Sequence, residues 1–290
     1  MKSVGIIILN WNAFEDTADC IHSILENESI DDDQIYLIDN DSCLNIKDQA
    51  VKLFPKLHVH RMNTNLGFSG GINFAIRLLL GSRFKYFLLI NNDTVVEKDF
   101  LKFLMEGFRD SKNVGISVPK IKMYNNKNKL YYGGGGFNTI SGRAKMYGLN
   151  KADGPEYSVQ KEIDFANGCC LLIKKEVFEK IGLFDETFFF YGEDVDFSIR
   201  ARKSGYKLVY CPQSVIYHKA DLENDKRESE LYLFHLFRSI GMLFRRQRLE
   251  LFRLLPHYYF AFSIPYNVLK RILKANPKGA KAILNGFFSK

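Results

Sequence analysis

Residues 84–93 read Phe84-Lys85-Tyr86-Phe87-Leu88-Leu89-Ile90-Asn91-Asn92-Asp93, an apolar run that breaks at its end into two amides and a carboxylate. A short apolar run without polar alternation fits a strand buried on both faces, the kind found in parallel sheets. Similar runs stand at 4–9, 35–38, 57–60 and 114–118, and the intervals 15–25, 45–54, 70–80 and 97–108 carry apolar residues at helical spacing. Strands and helices in alternation predict an α/β fold, a mostly parallel sheet flanked by helices. From 119 to 162 the rhythm gives way to a long irregular insert, and long loops in compact domains often act as lids. It resumes with a strand at 169–174, helices at 175–181 and 194–203, and strands at 207–210 and 215–217.

In open sheets of this kind the ligand lies at the carboxyl ends of the strands. Those ends carry Asn10-Trp11-Asn12, then Asp39-Asn40-Asp41-Ser42, then the stretch from Asn63 through Asn65 and Gly67 to Gly71, and finally Asn91-Asn92-Asp93. Topology alone therefore places four polar clusters on one edge. Asp39 suits an acceptor for a base N–H or for hydroxyls, and its surroundings also match ordinary turn vocabulary. The glycines Gly67, Gly70 and Gly71 fit neither common phosphate-loop pattern, but they precede a helix whose N–H groups and positive dipole end suit a diphosphate. Asp93 with its amide neighbours can hold one Mg²⁺ or Mn²⁺ completed by phosphate oxygens and water; alternatively Asp93 or Thr94 caps a helix starting near Glu97.

The segment 188–200 is the most unusual, with four aromatics followed by Gly192-Glu193-Asp194-Val195-Asp196 at the start of a helix. Asp194, beside an aromatic wall that dries it and raises its pKa, is the candidate general base. Glu193 and Asp196 also read as structural acids, stabilised by the helix dipole and, for Asp196, by an i,i+4 partner in Arg200. His218 ends a strand and either completes a metal shell or packs as an ordinary histidine.

The 290 residues are 46% hydrophobic, 26% charged and 14% aromatic, a globular composition. Five cysteines without a C-x-x-C spacing point to neither a disulfide framework nor a zinc knuckle, which fits a reducing compartment. The first apolar run is too short for a signal-peptide core. After residue 220 there are 13 Lys+Arg against 6 Asp+Glu, leaving 28 against 27 before it. The basicity thus belongs to the tail, which argues against nucleic-acid binding by the main domain and towards an anionic membrane surface. From Leu231 the basic residues, among them Arg238, Arg245, Arg246, Arg248 and Arg253, mingle with Phe234, Phe237, Phe244, Leu249, Leu251 and Phe252. The apolar stretch 254–273 is interrupted by Pro256, His257, Pro265 and Lys270, so interfacial helices are expected rather than a spanning one.

In their order and spacing, N-W-N at 10–12, D-N-D-S at 39–42, N-x-G-F-S-G-G-x-N at 65–73, N-N-D at 91–93, G-E-D-V-D-F-S-x-R at 192–200 and Tyr217-His218 resemble the family 2 glycosyltransferases, and within them the bacterial rhamnosyltransferase-like branch, over roughly residues 3–220. The resemblance implies a GT-A fold with a nucleotide-binding half at 1–118 and an acceptor-binding half at 119–220, followed by a helical, membrane-associating region at 221–290. It places Asp39 on the nucleotide base, Asn91 and Asp93 at the D-x-D position, Asp194 as base and His218 as a further metal ligand. Asn10, Asn12, Asn65, Gly67, Gly70 and Asn92 fall in the donor site. Asn91 stands where many relatives carry Asp, which removes one charge from the metal shell. The implied reaction is an inverting, Mg²⁺- or Mn²⁺-dependent transfer from a nucleotide-diphosphate sugar to a glycan or lipid-linked glycan hydroxyl in bacterial cell-surface polysaccharide synthesis. Thymidine diphosphate-rhamnose is the implied donor, with uridine diphosphate sugars next. The implied location is peripheral, on the cytoplasmic face of the plasma membrane, and oligomeric state is left open. A nucleotidyltransferase would carry a basic, Gly-rich loop where Asn10-Trp11-Asn12 stands. A noncatalytic nucleotide-sugar binder would have no need of both Asp93 and Asp194.

Overall fold

The computed structural model describes residues 2–109, 111–138, 143–219, 229–247 and 255–289. The elements in chain order are β1 (Val4–Asn10), α1 (Phe14–Asn27), β2 (Ile35–Asp39), α2 (Lys47–Leu53), β3 (His58–Arg61), α3 (Gly67–Leu80), β4 (Tyr86–Asn91), β5 (Thr94–Val96), α4 (Phe100–Glu106) and β6 (Val114–Met123). They continue with β7 (Leu130–Tyr132), β8 (Gly135–Asn138), β9 (Arg143–Met146), β10 (Lys161–Ile163), β11 (Cys170–Lys174), α5 (Lys175–Ile181), α6 (Glu193–Lys203), β12 (Lys207–His218), α7 (Glu230–Gln247), α8 (Leu255–Leu273) and α9 (Pro277–Phe288).

The main sheet runs β10-β12-β6-β11-β4-β1-β2-β3, with β5 pairing to β12 and β7 to β6. Strands β4, β1, β2 and β3 are mutually parallel, and Ile6, Ile7, Ile8, Phe87, Leu88 and Leu89 are buried within this half. The uninterrupted apolar runs are thus explained by helices covering both faces. The parallel expectation stops there: β11 runs antiparallel to both β4 and β6, while β12 returns parallel to β6.

Three elements differ from expectation. The helix expected at 97–108 is shorter, because Thr94–Val96 is a strand paired with 216–218 and the helix starts only at Phe100. The two short strands near 207–217 are one strand, Lys207–His218, with a register irregularity between Cys211 and Val215 around Pro212, which has no N–H for the ladder. The irregular insert holds three strands, β7, β8 and β9, followed by β10 at its end. Its glycines look like loop but serve close packing: a Cβ on Gly135 would lie 2.4 Å from the Phe165 carbonyl oxygen, and one on Gly136 would lie 2.0 Å from the Tyr147 hydroxyl.

The tail is helical, as expected, and α7 is no loose appendage. Met242 and Leu243 belong to the main core, while Leu233 and Phe237 join Ile264, Ala282, Ile283 and Phe287 of α8 and α9 in a second, smaller core. A Cβ on Gly286 would lie 2.2 Å from the Phe234 carbonyl oxygen, so glycine lets α9 close on α7. Arg248, Leu249, Leu251, Phe252, Arg253 and the boundary at 220–221 lie outside the described residues. Among the described residues no helix is long and apolar enough to cross a membrane. All five cysteines are thiols, Cys43 exposed and the others buried.

Candidate active site

Strand β4 ends at Asn91 and the chain turns straight into β5, so Asp93 sits in a tight turn at the carboxyl edge of the sheet. The register of β5 on β12 opposes Thr94 to His218, which brings the imidazole beside Asp93. His218 Nε2 lies 3.1 Å from Asp93 Oδ1, and the other ring nitrogen, His218 Nδ1, is buried without a hydrogen-bond partner. Burial works against the Asp93 charge, but His218 and Lys219 outweigh it and hold the carboxyl below its usual range. Lys219 is itself clamped between Asp16 and Asp19 of α1, at 2.7 Å to each. The helix-capping alternative for Asp93 and Thr94 is overturned, since Thr94 is a strand residue.

A carboxylate and an imidazole side by side at the sheet edge, the imidazole with an unsatisfied buried nitrogen, fit a divalent cation. Among the described residues no group of three or more His, Cys, Asp or Glu is placed to hold a metal. Among the described residues Asp93 and His218 are the pair so placed, and the remaining positions of such a cation would fall to phosphate oxygens and water.

Asp194 is the second residue of α6, before which Tyr191 and Gly192 both take positive φ, 68° and 90°, to turn the chain into the helix. Its Oδ2 accepts from the Gly168 N–H at 2.9 Å and its Oδ1 from the Val195 N–H at 2.8 Å. Burial pushes its pKa up to about 6 against these stabilising bonds. The neighbouring Glu193 is buried, with Oε2 unpaired, and burial together with the Asp194 charge raises its pKa strongly. Residues 168 and 169 join the two halves of the site: Gly168 holds Asp194, and the Cys169 carbonyl accepts from the Asn91 N–H at 2.9 Å. Tyr131 meets His218 edge-on at 4.5 Å, and its hydroxyl pKa is raised by burial and by the charges of both Asp93 and Asp194. The structure thus gathers Asp93, His218 and Asp194 around Tyr131, a residue without a local signal in the sequence.

The nucleotide edge departs from expectation. Asp39 is fully buried: its Oδ2 is paired with Arg61 Nη1 at 2.7 Å and its Oδ1 accepts from Asn10 Nδ2 at 3.4 Å and the Ser42 N–H at 3.2 Å. It presents no open face to a base. Arg61, 31% exposed, stands over it and also donates to the Ser42 carbonyl. Asn10 is buried too, accepting from Thr17 and donating to Ser42. Asn12 accepts from the Cys43 N–H, and Asn92 donates to Thr17 and to the Ala13 carbonyl. These amides brace the edge, Asn10 buried within it, Asn92 half-buried and Asn12 exposed on it. Of the N-N-D residues, Asn91 is half-buried beside Asp93. Because Asp39 is buried, Arg61→Ala strands a carboxylate and is expected to lower stability by about 1–3 kcal/mol in urea unfolding; an unchanged midpoint would show that the pair is idle.

The expected phosphate cradle is already filled by protein. Gly67 N–H donates to Asn65 Oδ1 at 2.8 Å, Leu66 N–H to Asn40 Oδ1 at 3.0 Å and Phe68 N–H to the Phe189 carbonyl at 2.9 Å. Gly67 has φ 69° and a Cβ there would fall 2.4 Å from the Phe189 oxygen; Gly70 is equally closed, by Leu66. Ser69 and Asn73 on α3 donate to the Phe188 and Phe184 carbonyls. Gly67, Ser69 and Asn73 therefore serve the docking of α3 on segment 184–189, which leads into Asp194. From the other side α7 supports this segment, with Arg238 donating to the Thr187 carbonyl at 2.6 Å and His235 stacked on Phe189.

In overall structure the chain is similar to GalNAc-T7 solved with UDP, GalNAc and Mn²⁺, with a TM-score of 0.68 and 18% identity over 98% of this chain. This chain spans 53% of that one, and the likeness is one of fold, the GT-A fold. In sequence it is 26% identical over 242 residues to the low-salt glycan biosynthesis hexosyltransferase Agl10 of Haloferax volcanii, covering 82% of this chain and 74% of that protein. It is also 26% identical over 243 residues to the rhamnosyltransferase WbbL of Escherichia coli (strain K12), covering 80% and 90%. A shorter stretch of 77 residues is 36% identical to an N-acetylglucosaminyl-diphospho-decaprenol L-rhamnosyltransferase of Mycobacterium tuberculosis, covering 26% of this chain and 25% of that one. Residues 2–240 match the family described as "Glycosyltransferase like family 2", and with most of its length inside that match the chain belongs to this family.

Proposed function

We propose that the chain transfers a sugar from a nucleotide-diphosphate donor to an acceptor hydroxyl with inversion at the anomeric carbon, Asp194 acting as base. The observation that carries this reading is Asp194 held by the Gly168 and Val195 N–H groups, Gly168 being next in the chain to Cys169, whose carbonyl fixes the Asn91 turn bearing Asp93. A carboxyl raised to about 6 is ionised at neutral pH and still basic enough to take a proton. Its two backbone bonds fix its direction, so the acceptor hydroxyl is deprotonated as it attacks the face opposite the leaving diphosphate. Asp93 and His218 would hold the divalent cation, Mg²⁺ or Mn²⁺, which when bound offsets the charge of the departing diphosphate. Asp39 would lie under the nucleotide base, with Arg61, paired to it, donating to carbonyl or phosphate oxygens of the nucleotide.

Similarity to WbbL and to the mycobacterial L-rhamnosyltransferase favours thymidine diphosphate-rhamnose as donor and a lipid-linked glycan as acceptor, within bacterial surface polysaccharide synthesis. The likeness in fold to a transferase solved with UDP makes a uridine diphosphate sugar the second reading. The acceptor would be bound by residues 119–220 and the enzyme would lie on the cytoplasmic face of the membrane. A thermal-shift panel of nucleotide sugars with Mn²⁺ tests the donor, since a ligand at about 100 times its dissociation constant adds about 2.7 kcal/mol. Thymidine diphosphate-rhamnose is expected to give the largest shift; a larger shift with a uridine diphosphate sugar would replace it.

A further inference from the structure

Helix α8 carries large apolar side chains on its outward side as well as the inward Ile264 and Val268, which pack in the smaller core. Its inward side carries Ile264 and the buried Arg271, whose guanidinium donates to Asn267 Oδ1 at 3.1 Å. Its outward side carries Tyr266, Leu269, Ile272 and Leu273, exposed to 65%, 54%, 54% and 77%. Spacings of three and four put these side chains on one face of the helix. Four large apolar side chains on one turn-to-turn stripe, facing outward from a folded helix, mark a surface made to be covered.

The charge around the stripe says by what. Between 255 and 290 there are six Lys+Arg and no Asp or Glu. Lys270 is on α8 itself, and Lys278 and Lys281 follow on α9, all exposed. Glu230 of α7, 3.9 Å from Lys278, is the acid that meets them among the described residues. A self-complementary contact through this face would oppose two acid-free segments. An anionic lipid surface instead takes the apolar stripe into the headgroup boundary and neutralises its basic rim.

We infer that the outward face of α8, Tyr266, Leu269, Ile272 and Leu273 with Lys270 beside them, is the surface by which this protein docks on an anionic bilayer. This rests on the proposed action on a lipid-linked acceptor and deepens it by naming the surface that brings the enzyme to its substrate. Because α7 packs on α9 and binds segment 187–190 through Arg238 and Ser239, the docked face is tied by helices to the chain entering Asp194.

The test is flotation of the full-length protein with vesicles of phosphatidylcholine alone or of an equimolar mixture with phosphatidylglycerol. Truncation before α7 is avoided, because it would remove Met242 and Leu243 from the main core. The wild type is expected to float with the anionic vesicles, to stay behind with neutral ones and to be released by salt. The double variant Leu269→Ser/Leu273→Ser should bind at least about tenfold less, and Lys270→Glu/Lys281→Glu should lose the preference for anionic lipid. Both should keep the wild-type melting temperature and donor-hydrolysis rate. Equal flotation of wild type and leucine variant, or equal affinity for both lipids, overturns the inference. So does a wild-type dimer that the leucine variant converts to monomer while neither floats, since that makes the face a protein contact. Flotation is read without donor or acceptor, so it fails or succeeds independently of the proposed reaction.

Discussion

The Asp194→Asn enzyme is expected to transfer sugar about 10²–10⁴-fold more slowly than wild type while binding the nucleotide sugar with unchanged affinity. An amide can still accept from the Gly168 or Val195 N–H, so the α6 entry survives, but it cannot take a proton from an attacking hydroxyl. The rate constant is the quantity that falls. The wild-type profile follows from the same carboxyl: with a pKa raised to about 6 by burial, the base is ionised above that value and protonated below it. The maximal rate should therefore drop as pH falls through about 6, approaching tenfold per pH unit on the acid side. A profile flat from neutrality down to pH 5 would assign the proton elsewhere, as would near-wild-type transfer by the variant.

Asp93→Ala is expected to cost about 10²–10³ in transfer, the scale seen when one group stabilising transition-state charge is removed, and to abolish stimulation by Mg²⁺ or Mn²⁺. Asp93 and His218 are the proposed pair of ligands, so His218→Ala should weaken the metal response in the same direction. The donor supplies charge of its own, so metal affinity should rise in its presence. That dependence is measurable by titrating Mn²⁺ with and without nucleoside diphosphate. Chelation that leaves wild-type turnover untouched would remove the metal from the mechanism, and Asp93 would then be an ion-pair partner of His218 alone.

The strands β1, β2 and β4 are legible in the sequence because burial on both faces leaves a nearly unbroken apolar run, which a half-exposed strand or a surface helix does not produce. Strand β5 is not, since three residues are too short to show a period; yet its register on β12 is what delivers His218 to Asp93. In the sequence the link between Asp93 and His218 rests on family pattern, and its physical cause appears only in the register. Asp39 and the Gly67–Gly71 stretch carry structural contacts that their composition hides. Their composition is that of ligand-binding loops, but one is neutralised by Arg61 and the other docks on segment 184–189, both through contacts distant in sequence. Arg61 ends a strand one residue past its visible apolar run, and Tyr131 lies in an insert that reads as irregular, so neither carries a local signal. In the tail, charge count and interruption indicate helices beside a surface, whereas the role of α7 as a prop for the chain entering Asp194 is visible only in space.

The sharpest test of inverting transfer with Asp194 as base needs no acceptor. Water can take the acceptor's place, and proton NMR can follow the first sugar released from the nucleotide-sugar donor before it mutarotates. This sugar is expected to have the anomeric configuration opposite to the donor, and Asp194→Asn should release it about 10²–10⁴-fold more slowly. A first-formed sugar with retained configuration, or release by the variant at the wild-type rate, would contradict inverting transfer from this base.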